Sequence, residues 1–212
     1  MLKKIKRISH FFYYLFQTYE IFYANLPNQT HEDIDEICSK FIDITQRTIS
    51  LDLGCGSIPK NPFKSSETFG LDLFDDQSLN IKYCRLGFDK MPFADNHFDF
   101  ITAFDLIEHI PRFYNNGSEE GTPFINLMNE VWRVLKNNGI FLSHTPIYPF
   151  YEAFQDPTHN NIITSNTFKM YFSDQKHQIA ESYGIKTNFK IIKENMKYRH
   201  QVILLQKSNT SI

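Results

Sequence analysis

The chain has 212 residues and a formal net charge of -2, and 42% of its residues are hydrophobic against 22% that are charged. This length and balance predict a globular chain with a continuous core and exclude intrinsic disorder as its main character. The small negative charge gives no general attraction to nucleic acid, and we expect no nucleic-acid partner. Cys38, Cys55 and Cys84 show neither a disulfide framework nor zinc-ligand spacing, which predicts reduced thiols and a cytoplasmic location.

The N-terminal segment joins a basic end to an aromatic helix. Four basic residues stand among the first seven, and apolar side chains then recur at spacings of three and four from Ile8 to Tyr23. The longest apolar run, residues 11–16, is too short to cross a bilayer, and no small-residue cleavage site follows it. We expect the apolar face to pack on the rest of the chain as a lid. The alternative is peripheral contact of residues 1–24 with anionic lipid at the inner face of the membrane.

Two further segments have helical patterns. A helix is predicted over residues 31–47 on an apolar stripe that includes Ile44. The strongest pattern begins at Pro123 and continues to Lys136, with Gly139 as its C-terminal cap. The polar stretch 112–122 before it is predicted to be a loop.

Strand patterns alternate with these helices. They cover residues 49–53, 68–73, 81–86, 98–104, 140–143, 187–192 and 201–206. Pro59 and Pro62 predict a loop, in place of a crossover helix, after the first strand. The alternation predicts an α/β fold with a mostly parallel sheet, ligand sites at the carboxyl ends of its strands and a terminal hairpin. We divide the chain into a helical cap, residues 1–47, and a main domain, residues 48–212.

A glycine turn marks the predicted ligand site. Gly54 and Gly56 follow the first strand, where bare backbone can approach a ligand, and Asp72 follows the second strand. Pro59 stands where a dinucleotide fingerprint has its third glycine, and no Gly-Lys-Ser/Thr follows for a phosphate loop. The pattern favours a ligand that has an adenosine part and no pyrophosphate.

Five stretches, in order, resemble the motifs of class I S-adenosylmethionine-dependent methyltransferases of the type 11 kind. They are residues 51–56, 70–72, 91–99, 104–110 and 130–139. The resemblance implies a Rossmann-like sheet of seven strands with helices on both faces, whose last strand is antiparallel and inserted beside the fifth, and S-adenosylmethionine as cofactor. It implies cofactor-binding roles for Asp52, Gly54, Cys55, Gly56, Asp72, Leu73, Phe104 and Asp105.

The sequence departs from the family at two places. Ser57, Ile58 and Pro59 stand where another glycine is frequent. Gly87 stands where the family often has an acidic adenine partner, so that Asp89 is the nearest carboxylate, with backbone amides near Phe88 as the alternative.

Methyl transfer from a sulfonium is a direct displacement, and an alcohol or amine acceptor benefits from a general base. The candidates are His109, His144, Asp156 and His159, of which we favour His109, His159 and Asp156 as catalytic. The alternatives are a structural hydrogen bond for His159 and a turn before Pro157 for Asp156. No ligand spacing supports a metal site.

The long loop at residues 145–160 ends in Asp-Pro-Thr-His, which resembles a subset of small-molecule and glycan-associated methyltransferases. The expected function is methyl transfer to a small-molecule or glycan acceptor. The alternatives are a macromolecular acceptor and an inactive S-adenosylmethionine-binding scaffold. The sequence leaves the oligomeric state open.

Overall fold

The computed structural model describes residues 2–22, 26–43 and 45–208. The helices of this part are α1 (Leu2–Phe22), α2 (Ile34–Ser39), α3 (Pro123–Val134) and α4 (Thr167–Phe172). The strands are β1 (Ile49–Leu53), β2 (Glu67–Asp72), β3 (Ile81–Tyr83), β4 (Phe98–Phe104), β5 (Tyr114–Asn115), β6 (Glu120–Gly121), β7 (Leu135–Pro146), β8 (Phe189–Lys197) and β9 (His200–Lys207).

Seven of the strands form one sheet in the order β3-β2-β1-β4-β7-β9-β8. The pairs β3–β2, β2–β1, β1–β4 and β4–β7 are parallel. Strand β9 is antiparallel to both of its neighbours and lies between β7 and β8. This arrangement confirms the predicted Rossmann-like sheet, including the inserted last strand. Since parallel strands end at the same edge, the turns after β1, β2, β4 and β7 meet there.

Both faces of the sheet are covered. On one face, Leu127 and Val131 of α3 pack with side chains that include Phe141 of β7. On the other face, Ile37 of α2 packs with side chains that include Leu142, the next residue of β7. Neighbouring residues of a strand point to opposite faces, so burial on both sides explains why β4 and β7 have nearly continuous apolar runs.

Several predicted boundaries are wrong. Helix α3 ends at Val134, and Leu135, whose backbone is extended, already pairs with Phe98 of β4. Gly139, predicted as the helix cap, lies inside β7, where a Cβ would come within 2.9 Å of a Leu135 side-chain carbon. Helix α2 covers only Ile34–Ser39 of the predicted 31–47, and the predicted loop at 112–122 contains the antiparallel pair β5–β6. Ile44 lies outside the described residues.

Helix α1 does not pack as predicted. The side chains of Ile8, Phe11–Phe16 and Tyr19 are 50–64% exposed. The expectation that this face packs on the domain is therefore wrong for these residues, whereas the side chain of Phe22, and Tyr23 as a whole, lie outside the description. Among the helices described, none is long and apolar enough to cross a membrane. The division into residues 1–47 and 48–212 stays a prediction.

Candidate active site

The glycine turn after β1 has a backbone conformation that glycine adopts readily and other residues do not. Gly54 and Gly56 have φ angles of +61° and +59°, in the left-handed region that favours glycine. The N–H of Gly54 donates to the carbonyl oxygen of Leu71 at 2.8 Å, which ties the turn to β2. A Cβ at Gly54 would lie 2.8 Å from Cδ1 of Leu106. The turn therefore needs glycine at this position for both conformation and space.

Cys55 packs within this turn. Its side chain is 4% exposed and lies over Gly70, where an added Cβ would collide with the Cys55 sulfur. Burial raises the pKa of the Cys55 thiol to about 11. The thiol therefore stays neutral, and the surface that Cys55 can offer a ligand is its backbone.

Asp52 fastens the segment after the turn. Its carboxylate is 1% exposed and accepts hydrogen bonds from the Thr102 hydroxyl at 2.6 Å and from the Lys60 N–H at 2.8 Å. Burial raises the pKa of Asp52, against the opposing effect of these hydrogen bonds. Asp52 thus joins the loop after Gly56 to β4.

Asp72 lies at the end of β2, opposite the turn. One of its oxygens accepts the N–H of Gly56 at 2.7 Å and the other accepts the N–H of Leu73 at 2.7 Å. Each carboxylate oxygen has a further lone pair that can accept from a ligand hydroxyl. The carboxylate therefore positions the turn and keeps two acceptor sites.

A cavity of about 470 Å³, which we call the strand-end cavity, opens beside Gly54 and Asp72. Its wall combines the turn with apolar side chains that follow β3 and β4, and with one imidazole. The lining residues are Gly54, Asp72, Leu73, Cys84, Arg85, Leu86, Phe88, Leu106, His109, Ile110, Pro111 and Tyr114. Asp52, Cys55, Gly56, Asp89, Phe104 and Asp105, named from the sequence, are not among them.

Asp89 forms an ion pair with Arg85, which lines the strand-end cavity. Its carboxylate pairs with the Arg85 guanidinium at 3.0 Å and accepts the Arg85 N–H at 2.9 Å. The hydrogen bonds from Arg85 lower the pKa of Asp89. At Gly87, φ is +87° and a Cβ would come within 2.6 Å of the Pro123 carbonyl oxygen. The start of α3 therefore occupies the place in which the family often has an acidic side chain.

The end of β4 forms a second polar cluster. Asp105 has a φ of +50°, and its carboxylate lies 3.1 Å from Nδ1 of His144 and 3.4 Å from Nε2 of His200. Burial raises the pKa of Asp105, but the hydrogen bond from His144 and the two imidazole charges outweigh it and lower the pKa overall. The ring of Phe104 lies near the same imidazole, with its centroid 6.1 Å from that of His144, and the Lys60 ammonium lies 5.0 Å from the Phe104 centroid.

His144 and His200 are stacked, with ring centroids 4.5 Å apart and planes 5° from parallel. Together with Asp105 they bring possible ligand atoms within 4.8 Å of one another, as do Glu108, His109 and His159. A nitrogen lone pair lies in its ring plane, so two parallel rings cannot direct lone pairs at one metal ion. The stacked pair fits a carboxylate-bound imidazole pair better than a metal centre. His144 and His159, both named as general-base candidates, thus belong to two different clusters.

The segment that contains Asp156 and His159 docks against the residues after β4. The N–H groups of Asn160 and Asn161 donate to the Glu108 carbonyl oxygen, both at 3.0 Å. The Glu108 side chain is 2% exposed and accepts the Thr145 hydroxyl at 2.6 Å, and burial raises its pKa. Two loops far apart in sequence are therefore fixed together at the wall of the strand-end cavity.

Thr158 connects two of the predicted catalytic residues. Its hydroxyl oxygen lies 2.7 Å from a carboxylate oxygen of Asp156 and 2.9 Å from Nδ1 of His109. The side-chain hydrogen bond from Thr158 lowers the pKa of Asp156, which keeps this carboxylate ionised. The hydroxyl has one hydrogen and donates it to the carboxylate, so Nδ1 of His109 must donate to the hydroxyl. The Nε2 atom of a neutral His109 is then an acceptor.

His159 packs edge-on against His109, with ring centroids 4.8 Å apart. Its Nδ1 is buried and has no hydrogen-bond partner within the described part of the chain. Of the three predicted catalytic residues, His109 alone lines the strand-end cavity. Asp156 reaches it through Thr158.

Several residues of this region were not identified from the sequence. Thr158 has a signal, because an Asp two positions before a Thr is typical of a turn closed by side-chain hydrogen bonds. No sequence signal points to Leu106, Tyr114 or His200. Leu106 reaches the site by the path of the chain after β4, Tyr114 by the short β5–β6 hairpin, and His200 by the antiparallel insertion of β9.

The part of the chain from β1 into β7 matches a known protein family. Residues 51–143 match the family described as a methyltransferase domain. No curated protein sequence matches the chain.

Solved structures share the fold at low identity. PH0226 of Pyrococcus horikoshii OT3 is 17% identical over 91% of this chain and 99% of its own, with a TM-score of 0.55. A proposed S-adenosylmethionine-dependent methyltransferase of Listeria monocytogenes is 14% identical over 83% and 98%, with a TM-score of 0.51. The cyclase SpnF is 13% identical over 87% of each chain, with a TM-score of 0.52. At these identities the likeness concerns the fold.

Proposed function

We propose that this chain, whose residues 51–143 match a methyltransferase domain, is a class I methyltransferase that transfers a methyl group from S-adenosylmethionine to a small-molecule or glycan acceptor. The observation that carries the proposal is the strand-end cavity, with the open backbone of Gly54 on one side and the Asp72 carboxylate on the other. The bound cofactor supplies an electrophilic methyl group on its sulfonium.

The chain's own residues fit an adenosine ligand. The bare Cα of Gly54 leaves the space that a Cβ would take, and Asp72 has a free acceptor site on each oxygen for the two ribose hydroxyls. Leu73 and the ring of Phe88 offer apolar contact to the base. Gly56 and Cys55 would contribute backbone, and Asp52 would act through the loop that it fastens.

Three residues that do not line the cavity keep proposed roles at its border. Asp89 would orient Arg85, which does line it. Phe104 and Asp105 would border the methionine end, next to Leu106.

His109 is the proposed general base. Its Nδ1 donates to Thr158, whose hydroxyl donates to Asp156, so the lone pair of Nε2 is free to accept a proton from an alcohol or amine acceptor. The ionised Asp156 then stabilises the imidazolium through the hydroxyl. His159 would hold the ring of His109 by its edge-on contact.

The test is incubation of the protein with methyl-labelled S-adenosylmethionine and fractionated cell extract. We expect label in a low-molecular-mass or glycan fraction. Label in protein or nucleic acid would support a macromolecular acceptor instead. Tight cofactor binding without label in any fraction would support an inactive scaffold, an outcome that the shared fold of the cyclase SpnF makes worth testing.

We also propose that α1 binds an anionic membrane surface. The described aromatic side chains Phe11–Tyr14, Phe16 and Tyr19 are 57–64% exposed, and Lys3, Lys4, Lys6 and Arg7 precede them in the sequence. Exposed apolar surface of this extent marks an interaction site, and the basic residues complement anionic lipid. Sedimentation with phosphatidylglycerol-containing vesicles should exceed that with phosphatidylcholine alone and fall when the four basic residues become Gln. A dimer in light scattering without vesicle binding would assign the helix to a second copy.

A further inference from the structure

A second cavity, of about 510 Å³, lies beside α3, and we call it the α3 cavity. A short segment separates it from the strand-end cavity, because Ile110 and Pro111 line the strand-end cavity and the next residue, Arg112, lines the α3 cavity. The two cavities therefore share one wall. A molecule that fills the α3 cavity lies next to the cofactor site.

The α3 cavity is apolar and rich in rings. Phe124, Phe172 and Ile185 form a buried floor, with exposures of 4%, 2% and 3%. Tyr171 and Tyr183 stand at its edge, with ring centroids 6.5 Å apart. Arg112 is the one charged side chain among the described residues that line it. Such a cavity suits a ligand with an apolar body and a single anionic group.

Arg112 is held in place by neutral partners. Its Nε donates to Oδ1 of Asn161 at 2.7 Å, and its Nη2 donates to the carbonyl oxygen of Ile162 at 2.5 Å. Asn161 is 1% exposed and donates in turn to the carbonyl oxygen of Ile107 at 3.0 Å. Among the residues that the structure describes, no carboxylate lies within ion-pair distance of Arg112. The guanidinium of this exposed residue is thus anchored by neutral partners and has no acidic partner among the described residues.

The anchored guanidinium keeps a hydrogen-bonding edge. A guanidinium has five N–H donors, and two of these five are used on the side of Nε. The remaining three include one N–H on each terminal nitrogen, and this pair matches the two oxygens of a carboxylate. A lysine at this position would offer a point charge without that fork.

We propose that the α3 cavity binds the apolar body of the methyl acceptor and that Arg112 binds its carboxylate. The assignment rests on the proposed function for the role of acceptor, and it favours an apolar carboxylic acid over a glycan. A glycan would leave many hydroxyl groups without partners against the rings of this cavity.

A matched pair of probes tests the site without knowledge of the acceptor. Calorimetry or ligand-observed NMR compares 4-phenylbutyrate with the neutral 4-phenylbutanamide. We expect the acid to bind at least about tenfold more tightly, as a charge-assisted bidentate contact predicts. Arg112→Gln should abolish this preference, and Met170→Trp should weaken both probes by filling the cavity. Arg47→Gln, at an exposed guanidinium 3.5 Å from Glu67, is the control and should bind as the wild type does.

Saturating S-adenosylhomocysteine separates this inference from the proposed function. We expect the acid to bind equally well in its presence. Displacement of the acid would place the probe in the strand-end cavity and overturn the assignment, as would equal affinities for acid and amide or an unchanged preference in Arg112→Gln. Binding of the acid through Arg112 without any binding of S-adenosylhomocysteine would retain the site and refute the cofactor.

Discussion

Replacing Asp72 with alanine is the strongest test of the cofactor site. The Asp72 oxygens accept the N–H groups of Gly56 and Leu73, each at 2.7 Å, and keep one acceptor site each for a ribose hydroxyl. A hydrogen bond to a charged group contributes about 1.5–3 kcal/mol. Two lost bonds amount to about 3–6 kcal/mol, and because 1.4 kcal/mol is a factor of ten, Asp72→Ala should weaken binding at least about a hundredfold.

Calorimetric titration with S-adenosylhomocysteine measures this loss. Asp75→Ala is the matched control, because the Asp75 carboxylate also accepts a backbone N–H, that of Tyr83 at 2.9 Å, but does not line the strand-end cavity. The control should keep wild-type affinity. Circular dichroism melts establish that both variants fold. Wild-type affinity in a folded Asp72→Ala variant would refute the assignment of this carboxylate to the ribose.

Three further predictions concern the turn and the loops after β4. Gly54→Ala and Gly184→Ala both place alanine at a positive φ, which should cost about 1–2 kcal/mol of unfolding free energy in urea titrations, and Gly54→Ala should lose more because its Cβ also meets Leu106. Only Gly54→Ala should also weaken S-adenosylhomocysteine binding, and equal binding by the two variants would argue against a tight turn at the ligand. Burial raises the folded-state pKa of Glu108, so the unfolding free energy of the wild type should fall as pH rises from about 4.3 through that pKa. Glu108→Gln cannot ionise, so its unfolding free energy should rise relative to that of the wild type over the same range. Urea titrations at pH 4, 6 and 8 that show a constant difference between the two proteins would contradict the burial argument. The hydroxyl of Thr158 should fix the proton of neutral His109 on Nδ1, and Thr158→Ser keeps this hydroxyl whereas Thr158→Val removes it. Long-range proton–nitrogen NMR should therefore find the Nδ1 tautomer in the wild type and in Thr158→Ser but not in Thr158→Val. An unchanged tautomer in Thr158→Val would exclude the hydrogen-bonded chain from Asp156 through Thr158 to His109.

Sequence patterns located all seven strands of the main sheet, most clearly the central strands β1 and β4, whose apolar runs the two covered faces require. They failed where a tertiary contact determined the end of an element. Leu135 continues the helical pattern of α3, yet it pairs with Phe98 in the sheet, so β7 begins before the predicted helix ends. The aromatic periodicity of α1 predicted a buried face, but periodicity alone cannot say whether a partner surface is present.

The sequence identified the residues of the candidate site that act through backbone geometry and the carboxyl ends of strands. Gly54 and His109 follow a strand within a few residues, Asp72 is the last residue of one, and all three line the strand-end cavity. Asp89 and Asp105 also follow this rule, but their carboxylates are taken by Arg85 and by the stacked imidazoles. Which partner a carboxylate finds depends on side chains from elsewhere in the chain.

The glycine turn, the carboxylate at the end of the second strand and the resemblance to a methyltransferase domain follow from the sequence alone, because local backbone requirements and strand ends are encoded over short spacings. Tertiary structure decided the rest. It joined His109 to Asp156 through Thr158 across some fifty positions of chain, with the Thr158 and His109 atoms at 2.9 Å. It also placed Arg112, which has no acidic partner among the described residues, at the α3 cavity. Such contacts depend on how two loops dock after the sheet has formed, and no periodicity in one segment carries information about its distant partner.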